Sequence, residues 1–232
     1  MNHTESFQPE YRVKKHALAK HVKLRMGDDN RLEITVPVRF NLKHIPAILE
    51  ENKSWIMRQL EKPRVKPSDE LPENIFFAAL NETWQVHYLH CDARFAMMIR
   101  PTREIVFVGK IREKKFYKKK LRAWIREYAY KQLHWHLTQL SQQTHLQFED
   151  LSIRDQKTLW GSCTVNKAIS LNFKLLFLPA RLMRYVLIHE LSHTLHLDHS
   201  TKFWNTVAQF DPDWRLHRSE LRHANQYMPA WI

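Results

Sequence analysis

Polar and apolar residues alternate in several short segments of the first half of the chain, and a period of two is typical of half-buried strands. The predicted strands cover residues 11–18, 21–26, 31–36, 74–79, 83–90 and 94–108. Between them, apolar residues recur at helical spacing over 42–60, which predicts one helix. Three prolines and several charges in 63–72 indicate a loop or linker. We therefore expect an N-terminal antiparallel β-sheet region with one helix in residues 1–110.

The second half of the chain changes to longer helical patterns separated by short strands. Residues 111–143 contain no Gly or Pro and carry an apolar stripe, which predicts a long helix. Short strands and further helices are expected after it, and the first of these helices opens at Pro179. The strands cover 151–154, 158–163 and 168–173, and the later helices cover 201–209 and 213–225. This order predicts an α+β fold, with a helical core and a small sheet in residues 111–232.

Composition narrows the class of protein. The chain of 232 residues has no apolar run of ~18 residues, so we expect no membrane span and no membrane partner. Residues 1–10 are polar and lack the apolar centre of a signal peptide. Cys91 and Cys163 are too few for a disulfide framework, and a reduced, cytoplasmic setting is therefore expected.

Basic residues outnumber acidic ones, with 37 Lys and Arg against 24 Asp and Glu and a formal net charge of +13. Such an excess is compatible with binding to nucleic acid, nucleotides or an acidic partner. It is equally compatible with a solvated basic surface, which is the usual meaning of a lysine-rich helix face such as 114–122. No RNA- or DNA-binding motif accompanies the charge.

One short run of the sequence carries chemistry. Residues 189–199 read His-Glu-Leu-Ser-His-Thr-Leu-His-Leu-Asp-His. On a helix, His189 and His193 project about 40° apart, so their imidazoles can hold one Zn²⁺. Glu190 follows the first histidine and can act as general base toward a water. The apolar segment 182–188 predicts a buried helix, and buried polar side chains need partners such as a metal.

A third protein ligand would complete a catalytic zinc site with an open fourth position, and His199 has the spacing for it. On a continuous helix, His199 would lie about 9 Å past His193 along the axis and could not reach the same ion. The helix must therefore end near His196 or Leu197, and the chain must turn back. Ser200 is a candidate N-cap for the next helix, which puts His199 at the corner. The side chains that compete for the third position are His196, Asp198, His217, Glu220 and His223.

A second motif uses one of the three glycines in the chain. A scarce glycine between strand residues, here Gly161, indicates a bulge or a close backbone approach. An edge strand beside a metal can pair with an extended peptide. The candidates for substrate binding are therefore Trp160, Gly161, Ser162 and Cys163, with Asn172 of the following strand. Core packing of Trp160 and burial of Cys163 as a small apolar residue are the simpler interpretations, and a thiol that gates access to the metal is another.

The two motifs occur in the order and spacing of a known family. Its pattern runs Arg-Trp-Gly-Ser-Cys, Ile-x-Leu-Asn, a proline, Tyr-Val-x-x-His-Glu-Leu-x-His, and finally Asn-His-Ser-x-x-Phe-Trp. The chain carries the corresponding residues at 159–163, 169–172, 179, 185–193 and 198–204. It therefore resembles the YgjP-like metallopeptidase family, which comprises predicted metal-dependent hydrolases with a zincin-like core. The segment Ser54-Trp55-Ile56 extends the resemblance to the N-terminal part of the chain.

The resemblance implies a zinc-dependent peptidase that acts on a protein or peptide. It makes Glu190 the catalytic base and makes zinc ligands of His189, His193 and His199. Leu159 stands where the family commonly has arginine, and Asp198 stands where it commonly has asparagine. Asp198 is then a candidate for a carboxylate that orients a ligand imidazole.

Two other functions stay open at this point. Some relatives carry a nucleotide pyrophosphatase label, and a nucleoside triphosphate would suit a basic surface. That chemistry favours Mg²⁺ or Mn²⁺ with oxygen ligands, whereas three histidines favour Zn²⁺. A zinc-stabilised module that binds nucleic acid without catalysis is the third hypothesis. For a peptidase, the candidates for stabilising the oxyanion are Tyr185, His217 and Tyr227.

Overall fold

The computed structural model of the chain describes residues 9–27, 31–60, 68 and 70–232. The chain divides into two compact units, Met1–Lys66 and Pro67–Ile232. Each unit has its own buried hydrophobic core.

The N-terminal unit is a three-stranded sheet followed by two short helices. The strands are β1 (Tyr11–His16), β2 (Lys23–Met26) and β3 (Leu32–Pro37), and the helices are α1 (Ile45–Glu51) and α2 (Lys53–Leu60). The strand order is β1-β3-β2, with β3 parallel to β1 and antiparallel to β2. The prediction of an antiparallel sheet is therefore wrong here. The sheet is mixed because β1 and β2 pair with opposite edges of β3 rather than with each other.

Alternate residues of β3 face the core of this unit, as the period of two predicts. The buried core residues are Met26, Leu32, Ile34, Val36, Ile45, Leu49 and Ile56. The single helix predicted over 42–60 is interrupted at Asn52, whose side-chain amide donates to the carbonyl of Ile48 at 2.8 Å. A short polar side chain that bonds to the preceding turn competes with continued helix. The segment therefore forms a 3₁₀ turn at Leu42–His44, then α1, then α2.

The C-terminal unit begins with a four-stranded sheet. Its strands are β4 (Asn74–Phe77), β5 (Glu82–His90), β6 (Ala96–Arg100) and β7 (Glu104–Gly109). Their order is β4-β5-β7-β6, with β5 parallel to β7 and the other neighbours antiparallel, so this sheet is also mixed and not antiparallel as predicted. The strand predicted over 94–108 is two strands, because the chain reverses at Arg103, which has a positive φ of 62°.

A long helix, α3 (Lys114–Thr144), confirms the helix predicted over 111–143. Its buried stripe repeats every fourth residue and includes Tyr117, Leu121, Ile125, Ala129, Leu133 and Leu137. This stripe joins the same hydrophobic core as Phe77 and Phe107 of the four-stranded sheet. Packing therefore does not separate the sheet before α3 from the elements after it. The division into functional domains after residue 110 stays a prediction.

A small sheet follows α3 and leads to the last helices. It consists of β8 (Asp150–Arg154), β9 (Gly161–Cys163) and β10 (Ala168–Asn172). The central strand is β10, which is parallel to β8 and antiparallel to β9. Because β9 has a neighbour on one side only within this sheet, it is an edge strand.

Three helices close the chain: α4 (Ala180–Ser192), α5 (Thr201–Phe210) and α6 (Trp214–Leu221). α4 packs against β9, α5 and α6. The helix predicted over 213–225 is α6 followed by a separate 3₁₀ turn at Ala224–Tyr227, because the N–H of Arg222 bonds the carbonyl of Ser219 and tightens the last turn. The fold is α+β, as predicted. Within the described residues, no helix is long and apolar enough to cross a membrane.

Candidate metal centre

The metal-binding run begins in the last turn of α4. Pro179 precedes the first residue of this helix, where its missing N–H costs no helical hydrogen bond. The hydroxyl of Ser192 donates to the carbonyl of Ile188 at 2.8 Å, and the hydroxyl of Thr194 donates to the carbonyl of Leu191 at 2.7 Å. Such side-chain bonds to last-turn carbonyls compete with continued helix and favour its end at this point.

The chain changes direction between the second and third histidines of the run. α4 ends at Ser192, and a tight turn continues to His196, whose N–H bonds the carbonyl of Ser192 at 3.1 Å. α5 starts at Thr201 with Ser200 in the N-cap position, although the Ser200 side chain makes no capping bond. The predicted turn near His196 is therefore confirmed, and it places His199 at the corner between two helices.

This turn brings three imidazoles together. Nε2 of His189 lies 3.3 Å from Nε2 of His193 and 3.2 Å from Nε2 of His199. All three ligand atoms lie within 4.8 Å of one another. Tetrahedral zinc with Zn–N bonds of about 2.0–2.1 Å places its ligand nitrogens about 3.3–3.4 Å apart. The two shorter spacings therefore fit a zinc ion, and the exposure of His199 leaves one side of the cluster open.

One phenyl ring supports all three imidazoles. Phe203 of α5 is fully buried, and its ring centroid lies 4.4 Å from that of His193, 4.8 Å from His199 and 4.9 Å from His189. The next residue, Trp204, lies 5.6 Å from the His199 ring and 5.8 Å from the His189 ring. Sequence reasoning gave these aromatics no role. The available signal was an aromatic pair one helical turn after the third histidine.

The protonation of the imidazoles suits metal binding. Nδ1–H of His193 can donate to the carbonyl of His196 at 2.9 Å, which leaves Nε2 with its lone pair toward the cluster. Burial lowers the pKa of His189 to about 3, and the charges of the two other histidines and of Arg218 contribute to this shift. Burial also lowers the pKa of His193. Both rings are therefore neutral at pH 7, as a metal ligand must be.

Glu190 is a buried carboxylate against the edge strand. Its side chain packs on Gly161 of β9, where no Cβ could fit. Its Oε2 and the Nδ1 of His189 are buried and find no hydrogen-bond partner among the described residues. Burial raises the pKa of Glu190 to about 8. The unpaired oxygen of Glu190, on the residue next to His189, fits a site built to take a cation and a polar ligand. The close approach predicted for Gly161 is confirmed.

The other residues of the glycine motif surround this contact. Trp160 is partly buried against the core, and Ser162 is exposed and opposite Ser170 in the strand register. Cys163 is half-buried, and its thiol donates to the carbonyl of Thr164 at 3.5 Å. Burial and the nearby Glu190 raise the pKa of Cys163 to about 11, so this thiol is protonated at neutral pH.

Asn172, at the end of β10, holds the loop before β9. Its side-chain amide donates to the carbonyls of Gln156 and Leu159 at 2.8 and 2.9 Å, and its Oδ1 accepts from the N–H of Lys174 at 3.2 Å. The residue is 2% exposed. Its polar groups are thus engaged by backbone, and an effect on substrate would act through the position of this loop.

The residues that compete for the third ligand position lie outside the histidine cluster. Glu220 pairs with Arg181 and accepts from the hydroxyl of Tyr227 at 2.6 Å. Nδ1 of His217 lies 2.8 Å from Oδ2 of the buried Asp211. Asp198 accepts from the N–H of Ser200 at 3.2 Å. The group that meets Nδ1 of His193 is the carbonyl of His196, rather than a carboxylate. His223 is exposed.

Among the candidates for stabilising an oxyanion, Tyr185 lies nearest to the cluster. Its ring centroid is 5.9 Å from that of His189 and 6.2 Å from that of His217. Burial raises the pKa of Tyr185 to about 12, so its hydroxyl keeps its proton and remains a donor. The hydroxyl of Tyr227 is engaged by Glu220.

Comparison with known proteins identifies the family of the chain. Residues 20–224 match the YgjP-like metallopeptidase domain. Among solved structures, the chain is similar to the crystal structure of the metallopeptidase zymogen of Pyrococcus abyssi abylysin, at 24% identity and a TM-score of 0.35, over 38% of this chain and 90% of that one. No curated protein matches the chain. Because the family match spans most of the sequence and both motifs, the chain belongs to the YgjP-like metallopeptidase domain family.

Proposed function

We propose that the protein is a zinc-dependent peptidase. The zinc ligands are His189, His193 and His199, and Glu190 is the general base. The observation that carries this proposal is the spacing of 3.2–3.3 Å between imidazole nitrogens, next to a buried carboxylate with an unpaired oxygen. A site with three histidines, an acid beside them and one open side has the composition of a catalytic zinc site.

The donor set favours zinc over the other divalent cations. The three histidines offer imidazole nitrogens, and the cluster among the described residues contains no carboxylate. Mg²⁺ and Ca²⁺ prefer oxygen ligands, whereas imidazole suits Zn²⁺. The Phe203 ring below the cluster keeps the three ligand rings in fixed positions.

Glu190 moves the proton in the proposed reaction. When bound, zinc would supply a Lewis acid for the scissile carbonyl and a positive charge that lowers the pKa of water and of Glu190. Ionised Glu190 takes a proton from the attacking water and returns it to the leaving amine. The contact with Gly161 holds the carboxylate in place during both transfers.

The edge strand beside Glu190 supports a protein or peptide as the substrate. β9 carries Gly161, Ser162 and Cys163 and has an open side in its sheet. An extended peptide can add to such an edge through backbone hydrogen bonds. An edge of this kind binds the middle of a chain as well as its end, so we propose an endopeptidase.

The test compares zinc-loaded wild type with Glu190→Gln on quenched peptides and on nucleoside triphosphates. Peptide cleavage in wild type, lost in Glu190→Gln with zinc retained, is the expected result. Pyrophosphate release from nucleotides, lost in the same variant while peptides stay intact, would establish the nucleotide hydrolase instead. Salt-sensitive binding of nucleic acid that survives the substitution, without any hydrolysis, would establish the binding module.

A further inference from the structure

Helix α6 and its C-cap residue carry a row of arginines. Arg215 and Arg218 lie in α6, and Arg222 follows it with helical backbone, so the spacing of three and four residues puts them on one side of the helix. All three are exposed. Among the described residues, no carboxylate forms an ion pair with any of them. Two of the nearby acids are engaged elsewhere, since Asp211 pairs with His217 and Glu220 pairs with Arg181, and the exposed Asp213 forms no ion pair with the row.

Two tryptophans connect this row to the metal centre. The rings of Trp204 and Trp214 stack with centroids 4.2 Å apart and 14° between their planes. The guanidinium carbon of Arg218 lies 4.7 Å from the Trp204 centroid, and that of Arg215 lies 4.5 Å from the Trp214 centroid. Because Trp204 is also packed near His199 and His189, the Arg218 end of the row lies one ring away from the cluster.

Stacking on the indole rings fixes the positions of the Arg215 and Arg218 guanidinium groups. A guanidinium over an indole face is held by cation–π attraction and loses little of its capacity to donate hydrogen bonds in its own plane. Arg215 and Arg218 therefore offer planar, oriented donors of the kind that carboxylates bind in bidentate fashion.

We propose that the arginine row of α6 is a substrate-selecting surface that binds acidic side chains flanking the scissile bond. The inference rests on the proposed peptidase function and adds the class of peptide that the site accepts. Three exposed cations without acidic partners beside the histidine cluster leave positive charge uncompensated. An acidic segment of a substrate would balance this charge. The exposed hydroxyl of Ser162 and the backbone of β9 supply no such charge, whereas the arginine row does.

The test measures binding separately from cleavage. Two labelled peptides of identical length, one with three Glu and one with three Gln near the central bond, are titrated by fluorescence anisotropy against zinc-loaded Glu190→Gln and against metal-free protein. The Glu peptide is expected to bind more tightly in both states, and added salt should weaken this preference. Arg218→Gln and Arg222→Gln should each weaken binding of the Glu peptide about fivefold and leave binding of the Gln peptide unchanged.

Controls separate the row from general basicity and from folding. Lys119→Gln removes an exposed charge from α3 and should have no effect. Arg222 is not stacked on an indole in the described contacts, so Arg222→Gln tests the charge even if Arg218→Gln disturbs the tryptophan pair. Equal binding of the two peptides, or Arg218-dependent binding of inorganic tripolyphosphate without a Glu preference, would overturn the inference. If the Glu peptide bound selectively but wild type cleaved no peptide, the arginine row would stand as a binding surface. The proposed peptidase function would then be wrong.

Discussion

The carboxylate of Glu190 fills the space where a side chain at Gly161 would begin. A Cβ added to Gly161 would lie 2.6 Å from Oε1, 2.7 Å from Cγ and 2.8 Å from Cδ of Glu190. Contacts this short between such atoms are not tolerated, so a side chain at position 161 would have to displace the carboxylate of Glu190. The edge strand thereby positions the proposed general base.

Gly161→Ala should displace the Glu190 carboxylate and lower kcat about 100-fold, because proton transfer depends on its position. Zinc content should not change, since the three atoms nearest to the new methyl group all belong to Glu190. Peptide cleavage assays measure kcat, and metal analysis of the same sample measures zinc content. Val165→Ala, in the exposed turn between β9 and β10, is the matched control. Full activity in Gly161→Ala would show that the carboxylate position is unimportant.

His199→Ala should weaken zinc binding more than about 100-fold, because removing a ligand costs more than removing a group that orients one. Competition with a chromophoric chelator measures the affinity. His223→Ala removes an exposed imidazole outside the cluster and should bind zinc like the wild type. If Glu220→Ala lost zinc while His199→Ala kept it, the three-histidine assignment would be wrong.

Phe203→Ala should lower the free energy of unfolding by about 3–5 kcal/mol, the usual cost of emptying a phenyl-sized site in a core. Zinc affinity should fall in the same variant, because the three ligand rings lose their common support. Urea unfolding of the metal-free protein and chelator competition report the two effects. Phe76→Ala, at a ring that is 52% exposed, should change neither.

The stability of the metal-free protein should fall as the pH rises from 6.5 to 8. Burial raises the pKa of Glu190 from 4.5 to about 8, so between these values the folded state keeps a proton that the unfolded state releases. The lowered pKa of His189 acts in the opposite direction, but only below 6.5. Wild type should therefore lose about 1–2 kcal/mol over this interval relative to Glu190→Gln. Parallel pH profiles of urea unfolding for the two proteins would contradict this.

The two cysteines should differ in reactivity. Cys91 is exposed, whereas the pKa of the half-buried Cys163 is raised to about 11, chiefly by burial. Since the thiolate is the reactive form, iodoacetamide at pH 8 should label Cys91 and spare Cys163. Mass spectrometry of Cys91→Ser should show almost no label in the native protein and full label in urea. Rapid labelling of native Cys91→Ser would mean that Cys163 is ionised.

Local patterns predicted the helices near the metal and the turn that joins them. The spacing of His189, His193 and His199 required a change of direction near His196, because one ion cannot serve points 9 Å apart along a helix. Local patterns could not predict the relative direction of paired strands. The parallel pairing of β1 with β3, and of β5 with β7, depends on contacts between residues distant in the sequence. The break at Asn52 depends on which carbonyl its amide meets.

The contacts that complete the site were also beyond sequence reasoning. Gly161 was recognisable as a place of close approach, but the neighbour that approaches it is set by the packing of β9 on α4. Arg218 carried no pattern of its own, because its position over Trp204 arises only when α5 and α6 meet. The role of the His196 carbonyl follows from the turn and not from its side chain.

The proposed ligands and general base all lie within eleven consecutive residues, whereas the surfaces proposed to bind substrate come from elsewhere in the sequence. β9 precedes this run by about 26 residues, and α6 follows it. The residues proposed for cleavage and those proposed for substrate selection therefore lie in separate segments of the sequence. Under the proposed function, substitutions at Ser162 or in the arginine row would change which peptides are accepted, whereas a substitution at Gly161 would also displace the base. Relatives that share the histidine run can therefore differ in the peptides that they cleave.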